Sequence, residues 1–348
     1  MKTIFVVDDN DTNLMTAKTA LDGTYKAFAL PSAAKMFKLL EKITPDLILL
    51  DVDMPEMSGF EAMQKLKSDA KLKTIPVIFL TARNDAETEI KGFEMGALDF
   101  INKPFSPPVL IKRIETHIEM DKTIKKAKSA VRSIHNATIS VISDLVESRD
   151  KVTGGHVERT QKYIEILLNE LIRTQTYADE ISKWDIDLIL PSAQLHDVGK
   201  ISISDLILNK PDKLTNEEFE IIKTHCVEGK RIIDTITSKT EDDGFLFHAR
   251  QFAYTHHEKW NGTGYPEKLS GYDIPLEGRV MAIADVYDAL VSERPYKKAF
   301  THEEAAQIIK KDSGTHFDPK IVEAFLNVAD DFWVELVNFN SQSCEKKE

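Results

Sequence analysis

Short apolar runs alternate with helical periods over the first third of the chain. Residues 4–7 (IFVV), 47–50 (LILL) and 77–80 (VIFL) are unbroken apolar runs, the pattern of strands covered on both faces. Acidic, Gly or Pro residues follow each run, and then a helical period begins. Weaker strands are predicted at residues 26–30 and 99–101. This rhythm implies a doubly wound α/β domain with a five-stranded parallel sheet. In such sheets the ligand site lies at the carboxyl ends of the strands. Those ends carry Asp8, Asp9, Asp51, Thr81 and Lys103.

Residues 111–148 contain no strong helix breaker. Ala127, Val131, Ile134, Thr138, Val141 and Leu145 fall at alternating spacings of four and three, a short coiled-coil-like seam. The seam reads either as a helix packing on its own domain or as a signalling helix that pairs two protomers. Beyond residue 150 strand signals are scarce. Helices are predicted at residues 155–174, 186–195, 216–236, 249–258, 278–292 and 302–312, so the second domain is mainly α. Residues 261–275, rich in Gly, Pro and Tyr, must form a structured loop. The expected division is 1–121 for the α/β domain, 122–147 for a helical linker, 148–333 for the helical domain and 334–348 for a polar tail.

The chain has 348 residues, of which 42% are hydrophobic and 29% charged, enough for two globular cores. Its net charge of −12 argues against a broad nucleic-acid surface. Two cysteines, Cys226 and Cys344, make no disulfide framework and suit a reducing compartment. No stretch approaches the ~20 apolar residues of a membrane span. A cytoplasmic protein with no membrane partner is expected.

Three carboxylates converging on one sheet edge make an oxygen-lined site for Mg²⁺, because such acids resist joint ionisation without a cation. An Asp beside Mg²⁺, a Thr hydroxyl and a Lys ammonium is equipped to accept a phosphoryl group. The segments VVDDN (6–10), LLDVDMPEMSG (49–59), Thr81-Ala82 and KPF (103–105) resemble the receiver domain of two-component systems over about residues 2–120. That resemblance implies a flavodoxin-like fold and a cognate sensor histidine kinase. It also makes Asp51 the phospho-acceptor. Asp8, Asp9 and the Asp53 carbonyl would hold Mg²⁺, while Thr81 and Lys103 would bind the phosphoryl group. It further implies a cis bond before Pro104 and a switching aromatic at Phe100.

The second domain holds most of the ten histidines. His196-Asp197 and His256-His257 are adjacent pairs, with His156, His225 and Asp285 on predicted helices. Imidazole with carboxylate suits first-row metals such as Fe and Mn, and also Zn. An Asp able to bridge suggests two metals roughly 3.5–4 Å apart, an arrangement that activates water and stabilises an in-line phosphodiester displacement. The runs RDKVTGGHVERT (149–160), LHDVGKI (195–201), THCVEGKRII (224–233), HHEKWNGTGYP (256–266), IPLEGRVMAIADVYDAL (274–290), ERPYKKA (293–299) and GTHFDP (314–319) resemble the HD-GYP family over about residues 145–333.

That resemblance implies an all-α HD-domain bundle that hydrolyses cyclic di-GMP to pGpG and on to GMP. By position its metal ligands are His156, His196, Asp197, His225, His256, His257 and Asp285, with Asp197 bridging. Lys200 would contact the scissile phosphate. Asp288, Arg294 and Lys297 match positions that hold guanine or phosphates, and Tyr265 belongs to the GYP loop. Val152 stands where some members carry a Glu for a third metal, which favours two metals. Asn261 replaces the usual Asp, and Lys268 stands where Gly is common. His117, His135, His248 and His302 read as surface or helix-face residues. Cys226 reads as a small core residue and Trp184 as packing. The competing readings are a low-turnover cyclic di-GMP sensor, a module docking diguanylate cyclases through the GYP loop, and a phosphodiesterase for another cyclic dinucleotide.

Overall fold

The apolar runs become strands because both faces of each are covered. In the computed structural model, which describes residues 1–69, 71–82, 86–149, 155–240, 244–293 and 298–345 (the last four as backbone alone), five strands form one parallel sheet. They are β1 (Thr3–Val7), β2 (Lys26–Leu30), β3 (Leu47–Asp51), β4 (Val77–Thr81) and β5 (Asp99–Asn102), in the order β2-β1-β3-β4-β5. β3 and β4 are buried along their whole length. Alternate residues of β1, β3 and β4 feed two cores, one on each face of the sheet. The helices α1 (Asp11–Leu21), α2 (Ala33–Leu40), α3 (Gly59–Ser68) and α4 (Ala86–Glu94) connect the strands.

The register aligns Val7 with Leu50, Asp51 with Leu80 and Thr81 with Asn102. Asp8, Asp51, Thr81 and Lys103 are therefore brought to one edge. A capping box fixes the start of α3: the Glu61 N–H donates to Ser58 Oγ at 3.3 Å, and the Ser58 N–H donates to Glu61 Oε2 at 2.8 Å. Gly59 then comes so close to β3 that a Cβ there would lie 2.1 Å from the Asp51 carbonyl oxygen. Only Gly fits that approach.

α5 runs unbroken from Pro107 to Glu147. The chain divides inside it into two compact units, Met1–Val131 and Arg132–Glu348, so the expected linker is helical throughout. The expected seam is solvent-exposed: Val131 is 67% exposed, Ile134 69%, Val141 56% and Leu145 63%. A neighbouring stripe packs instead. Ile139 and Val146 are buried, and Ser143 Oγ donates to the Gln194 carbonyl at 3.0 Å.

The second unit is helical. It contains α6 (His156–Arg173), α7 (Ala178–Ile181), α8 (Ile186–Ser192), α9 (Asp205–Leu208), α10 (Asn216–Thr237), α11 (Phe245–Thr255), α12 (Leu276–Val291), α13 (His302–Lys311) and α14 (Pro319–Glu345). The main core joins α6, α8, α12, α13 and α14 around Tyr163, Tyr287 and Phe332. A smaller core holds Ile139 of α5 with Val198, Ile233, Phe245 and Ala249. The polar tail expected from residue 334 does not begin there. α14 continues to Glu345, because Leu336, 4% exposed, still packs in the main core. Among the described residues no helix is long and apolar enough to cross a membrane.

Candidate functional site

Two clusters of acids and imidazoles stand out, one in each unit. In the first, Asp8, Asp9 and Asp51 offer carboxylate oxygens within 4.8 Å of one another. Lys103 Nζ lies 2.6 Å from Asp8 Oδ2 and 2.7 Å from Asp51 Oδ1. Thr81 is buried at the next strand end. Burial pushes the Asp51 carboxyl up, and Lys103 opposes that push. A buried acid group with a single ammonium suits a hard divalent cation. The Lys103–Pro104 bond is cis. Phe100 is 6% exposed and turned inward between Phe79 and Phe93. The Asp53 N–H donates to Asp51 Oδ1 at 3.3 Å.

In the second unit the expected ligands assemble as two triads. His225, His256 and His257 form one, and His156, His196 and Asp285 the other, each with donor atoms within 4.8 Å. Asp197 stands between them. Its Oδ1 lies 3.4 Å from His225 Nε2 and 3.8 Å from His256 Nε2, while its Oδ2 lies 3.5 Å from His196 Nε2. One oxygen thus faces each triad.

The imidazoles are also tied from behind. His196 Nδ1 lies 3.0 Å from the Ala193 carbonyl, His225 Nδ1 2.7 Å from that of Ile222 and His256 Nδ1 2.9 Å from that of Phe252. His156 Nδ1 lies 2.8 Å from Asp288 Oδ2. These acceptors assign the proton to Nδ1 and leave each Nε2 lone pair aimed inward. His196 Nε2 and Asp197 Oδ1 are buried with no hydrogen-bond partner. Orphaned polar atoms on His196 and on the Asp197 that stands between the triads fit a pair of bound cations, which would satisfy them.

The electrostatics agree at Asp197, His256 and His257. Burial would raise the Asp197 carboxyl, but Lys200 and then His196, His225 and His256 hold it well below the usual carboxylate range. Burial and then His257 hold His256 well below an ordinary imidazole. Burial and His225 bring His257 down to about 3. Burial disfavours a charged His156, but Asp288, Asp285 and Asp197 outweigh it and push the metal-free imidazole up to about 8. An ionised Asp197 and neutral His256 and His257 at neutral pH are the protonation states a metal requires.

Local packing sets this geometry. His196 and Asp197 form the turn between two short 3₁₀ segments, Ala193–Leu195 and Val198–Ser202, the second of which presses against α10. A Cβ on Gly199 would sit 1.9 Å from the His225 carbonyl oxygen, so this position admits only Gly. Lys200 Nζ lies 2.9 Å from Asp197 Oδ2. A cavity of about 390 Å³ opens over the cluster, lined among others by Lys200, His257, Tyr265 and Asp285. The Tyr265 ring stands 4.8 Å from that of His257.

The two loop departures have local accounts. Asn261 Oδ1 accepts from the Thr263 N–H at 3.1 Å and from its hydroxyl at 2.7 Å, as an Asp would. Lys268 has φ 58°, the left-handed region that favours Gly.

The structure brings together Asp8, Asp9 and Asp51 at the first cluster, and His156, His196, Asp197, His225, His256, His257 and Asp285 at the second, with Lys200, Tyr265 and Asp288 beside them. Arg294, Lys297 and Val152 lie outside the described residues. Three contributors were not read from the sequence. Glu258, 2% exposed, accepts the N–H groups of Glu267 (2.7 Å) and Leu269 (3.0 Å) and so holds the Tyr265 loop. Glu147 accepts the His156 N–H at 2.9 Å. Arg159 pairs with Asp288. Only Arg159 left a sequence signal, since it stands one turn after His156 on the same face. His248 is corrected: it is 7% exposed and pairs with Glu277 at 2.8 Å.

Comparison with known proteins agrees with both domains. A family model described as response regulator receiver domain matches residues 4–115, and one described as HD domain matches residues 140–321. The chain is an HD-domain response regulator. It is 39% identical over 339 residues to a Vibrio cholerae protein named "Probable cyclic di-GMP phosphodiesterase", covering 93% of this chain and 77% of that protein. It is 33% identical to the "Cyclic di-GMP phosphodiesterase response regulator RpfG" of Xanthomonas campestris, covering 81% of this chain and 75% of that protein. A Vibrio cholerae protein named "3'3'-cGAMP-specific phosphodiesterase 2" is 39% identical over 191 residues, covering 55% of this chain and 34% of that protein. The response regulator therefore carries its receiver at 4–115 and its HD domain from residue 140 onward.

Proposed function

We propose that this response regulator hydrolyses cyclic di-GMP at a two-metal centre in its HD domain, and that phosphorylation of Asp51 regulates the rate. The observation that carries the reading is Asp197, with one oxygen toward each of two imidazole-bearing triads. His225, His256 and His257 would hold one cation and His156, His196 and Asp285 the other, with Asp197 shared. Fe or Mn is favoured by mixed imidazole and carboxylate donors. Bound there, two cations supply Lewis acidity and an acidified water.

The chain's own residues do the rest. The Lys200 ammonium borders the cavity and meets the negative charge that grows on the phosphate oxygens. Tyr265 and the apolar wall of Val157, Val198, Ile222 and Leu290 receive the ring and its bases. Water adds across one phosphodiester bond: its oxygen joins phosphorus, and the 3′-oxygen leaves with a proton as pGpG. A second hydrolysis at the same centre gives GMP. Arg294 and Lys297 would add phosphate and guanine contacts.

In the receiver, Asp8, Asp9 and Asp53 would hold Mg²⁺ while a sensor histidine kinase supplies the phosphoryl group to Asp51. The new charge of roughly −1.5 to −2 would be met by Thr81 and Lys103. Phe100 lies three residues before Lys103, and α5 follows directly. α5 ends at Glu147, whose carboxylate accepts the His156 N–H. Phosphorylation would shift the equilibrium of this helix. The exposed Ile134, Val141 and Leu145 stripe is where a second protomer would pair.

Turnover of the Mn- or Fe-loaded chain on cyclic di-GMP and 3'3'-cGAMP, with metal analysis, tests the reading. Cyclic di-GMP is expected to be the faster substrate, with two metals per chain. The relative named for 3'3'-cGAMP makes a reversed preference the second reading. Tight binding without turnover would instead mark a sensor, or a module docking diguanylate cyclases through the Tyr265 loop.

A further inference from the structure

We infer that Asp288 and Arg159 form a positioning pair that sets the orientation and tautomer of His156. This rests on reading His156 as a metal ligand. It departs from the family resemblance, which puts a ligand contact at Asp288.

The pair is built on two neighbouring helices with matched spacing. His156 and Arg159 stand one turn apart on α6, and Asp285 and Asp288 one turn apart on α12. The turns face each other as two rungs. On the inner rung His156 Nε2 lies 3.5 Å from Asp285 Oδ1, inside the ligand cluster. On the outer rung Arg159 grips Asp288 with two bonds, Nε to Oδ1 at 2.7 Å and Nη2 to Oδ2 at 2.8 Å. His156 Nδ1 joins the rungs, 2.8 Å from Asp288 Oδ2.

Asp288 is 1% exposed and Arg159 4%. Both carboxylate oxygens are therefore occupied from within the protein. Asp288 borders the cavity, but both of its oxygens are already engaged, so a nucleotide would compete for them with the buried guanidinium and the imidazole. A carboxylate bonded to Nδ1 fixes the proton there, turns Nε2 toward the metal and makes the ring a better donor. Arg159 holds that carboxylate in a planar fork that a Lys cannot reproduce. Arg159 is itself seated, with its guanidinium 5.2 Å from the centre of the Phe339 ring. The other imidazoles tied from behind use main-chain carbonyls: those of Ala193, Ile222 and Phe252. Among these tied ligands, only at His156 does an ion pair hold the ring.

The test is Mn²⁺ titration of the full-length chain, with KM for cyclic di-GMP measured at saturating Mn²⁺. Asp288→Asn should weaken Mn²⁺ binding at one of two sites by roughly 10–100-fold and leave KM unchanged. Arg159→Lys should weaken it less, because the charge remains while the fork is lost. If Asp288→Asn does not fold, Asp288→Asn with Arg159→Gln replaces the buried ion pair by two hydrogen-bonded amides, and the same loss of affinity is expected. A raised KM with wild-type Mn²⁺ affinity would overturn the inference and return Asp288 to the ligand. A wild-type chain that binds no Mn²⁺ would instead overturn the metal-centre reading itself, and this assignment with it.

Discussion

Asp197→Ala is expected to abolish hydrolysis and to empty the metal centre. Asp197 is the residue whose two oxygens face both triads, at 3.4 Å from His225 Nε2 and 3.5 Å from His196 Nε2. Removing it leaves two cations close together with no shared anion and takes from Lys200 the carboxylate oxygen 2.9 Å away. Losing an outer-shell partner of a metal ligand costs about 10–100-fold in affinity or activity. A shared ligand must cost more, so a fall of roughly 10³-fold or greater is expected by comparison. Metal content per chain and initial rate on cyclic di-GMP, measured on the same preparation, check this. A variant that keeps its metal and its rate would mean the centre lies elsewhere.

Lys200→Ala is expected to behave differently, because an ammonium has no lone pair to give a metal. Its Nζ borders the cavity and partners Asp197 from the solvent side, with the side chain 23% exposed. In the proposed reaction it would act on the phosphate, whose charge grows during the displacement. Removing one such preorganised donor typically lowers kcat by about 10²–10³-fold. The metal content should stay near that of the unaltered chain. Equal loss of metal and rate would make Lys200 a support for Asp197 rather than a contact for the substrate. The two substitutions together separate holding the metals from using them.

Much of this was legible in the sequence for identifiable reasons. β3 and β4 are buried on both faces, so residues 47–50 and 77–80 had to be unbroken apolar runs. Parallel register then carried Asp8, Asp51 and Thr81 to one edge with no further information. The histidine cluster could be read because a His-Asp pair and a His-His pair, each weak alone, occur together with a Gly-Tyr-Pro loop. What stayed hidden depended on tertiary contact. The spacing of Val131, Ile134, Val141 and Leu145 is a true helical stripe, yet on the next stripe it is Ile139 that joins a core of the HD domain, with Val146 buried two turns on. The polar sequence after residue 334 hid one more apolar anchor, Leu336. Asp288 matched a ligand-contact position in one dimension, and only the fold shows Arg159 already bound to it.

The most direct measurement is the rate of cyclic di-GMP hydrolysis by the Mn-loaded full-length chain with and without beryllofluoride, a phosphoryl mimic, alongside Asp51→Ala. The account predicts measurable hydrolysis by the unaltered chain, a change in its rate when the mimic is present, and no such change in Asp51→Ala. Hydrolysis at one unchanging rate in all of these conditions, or none in any, would contradict it.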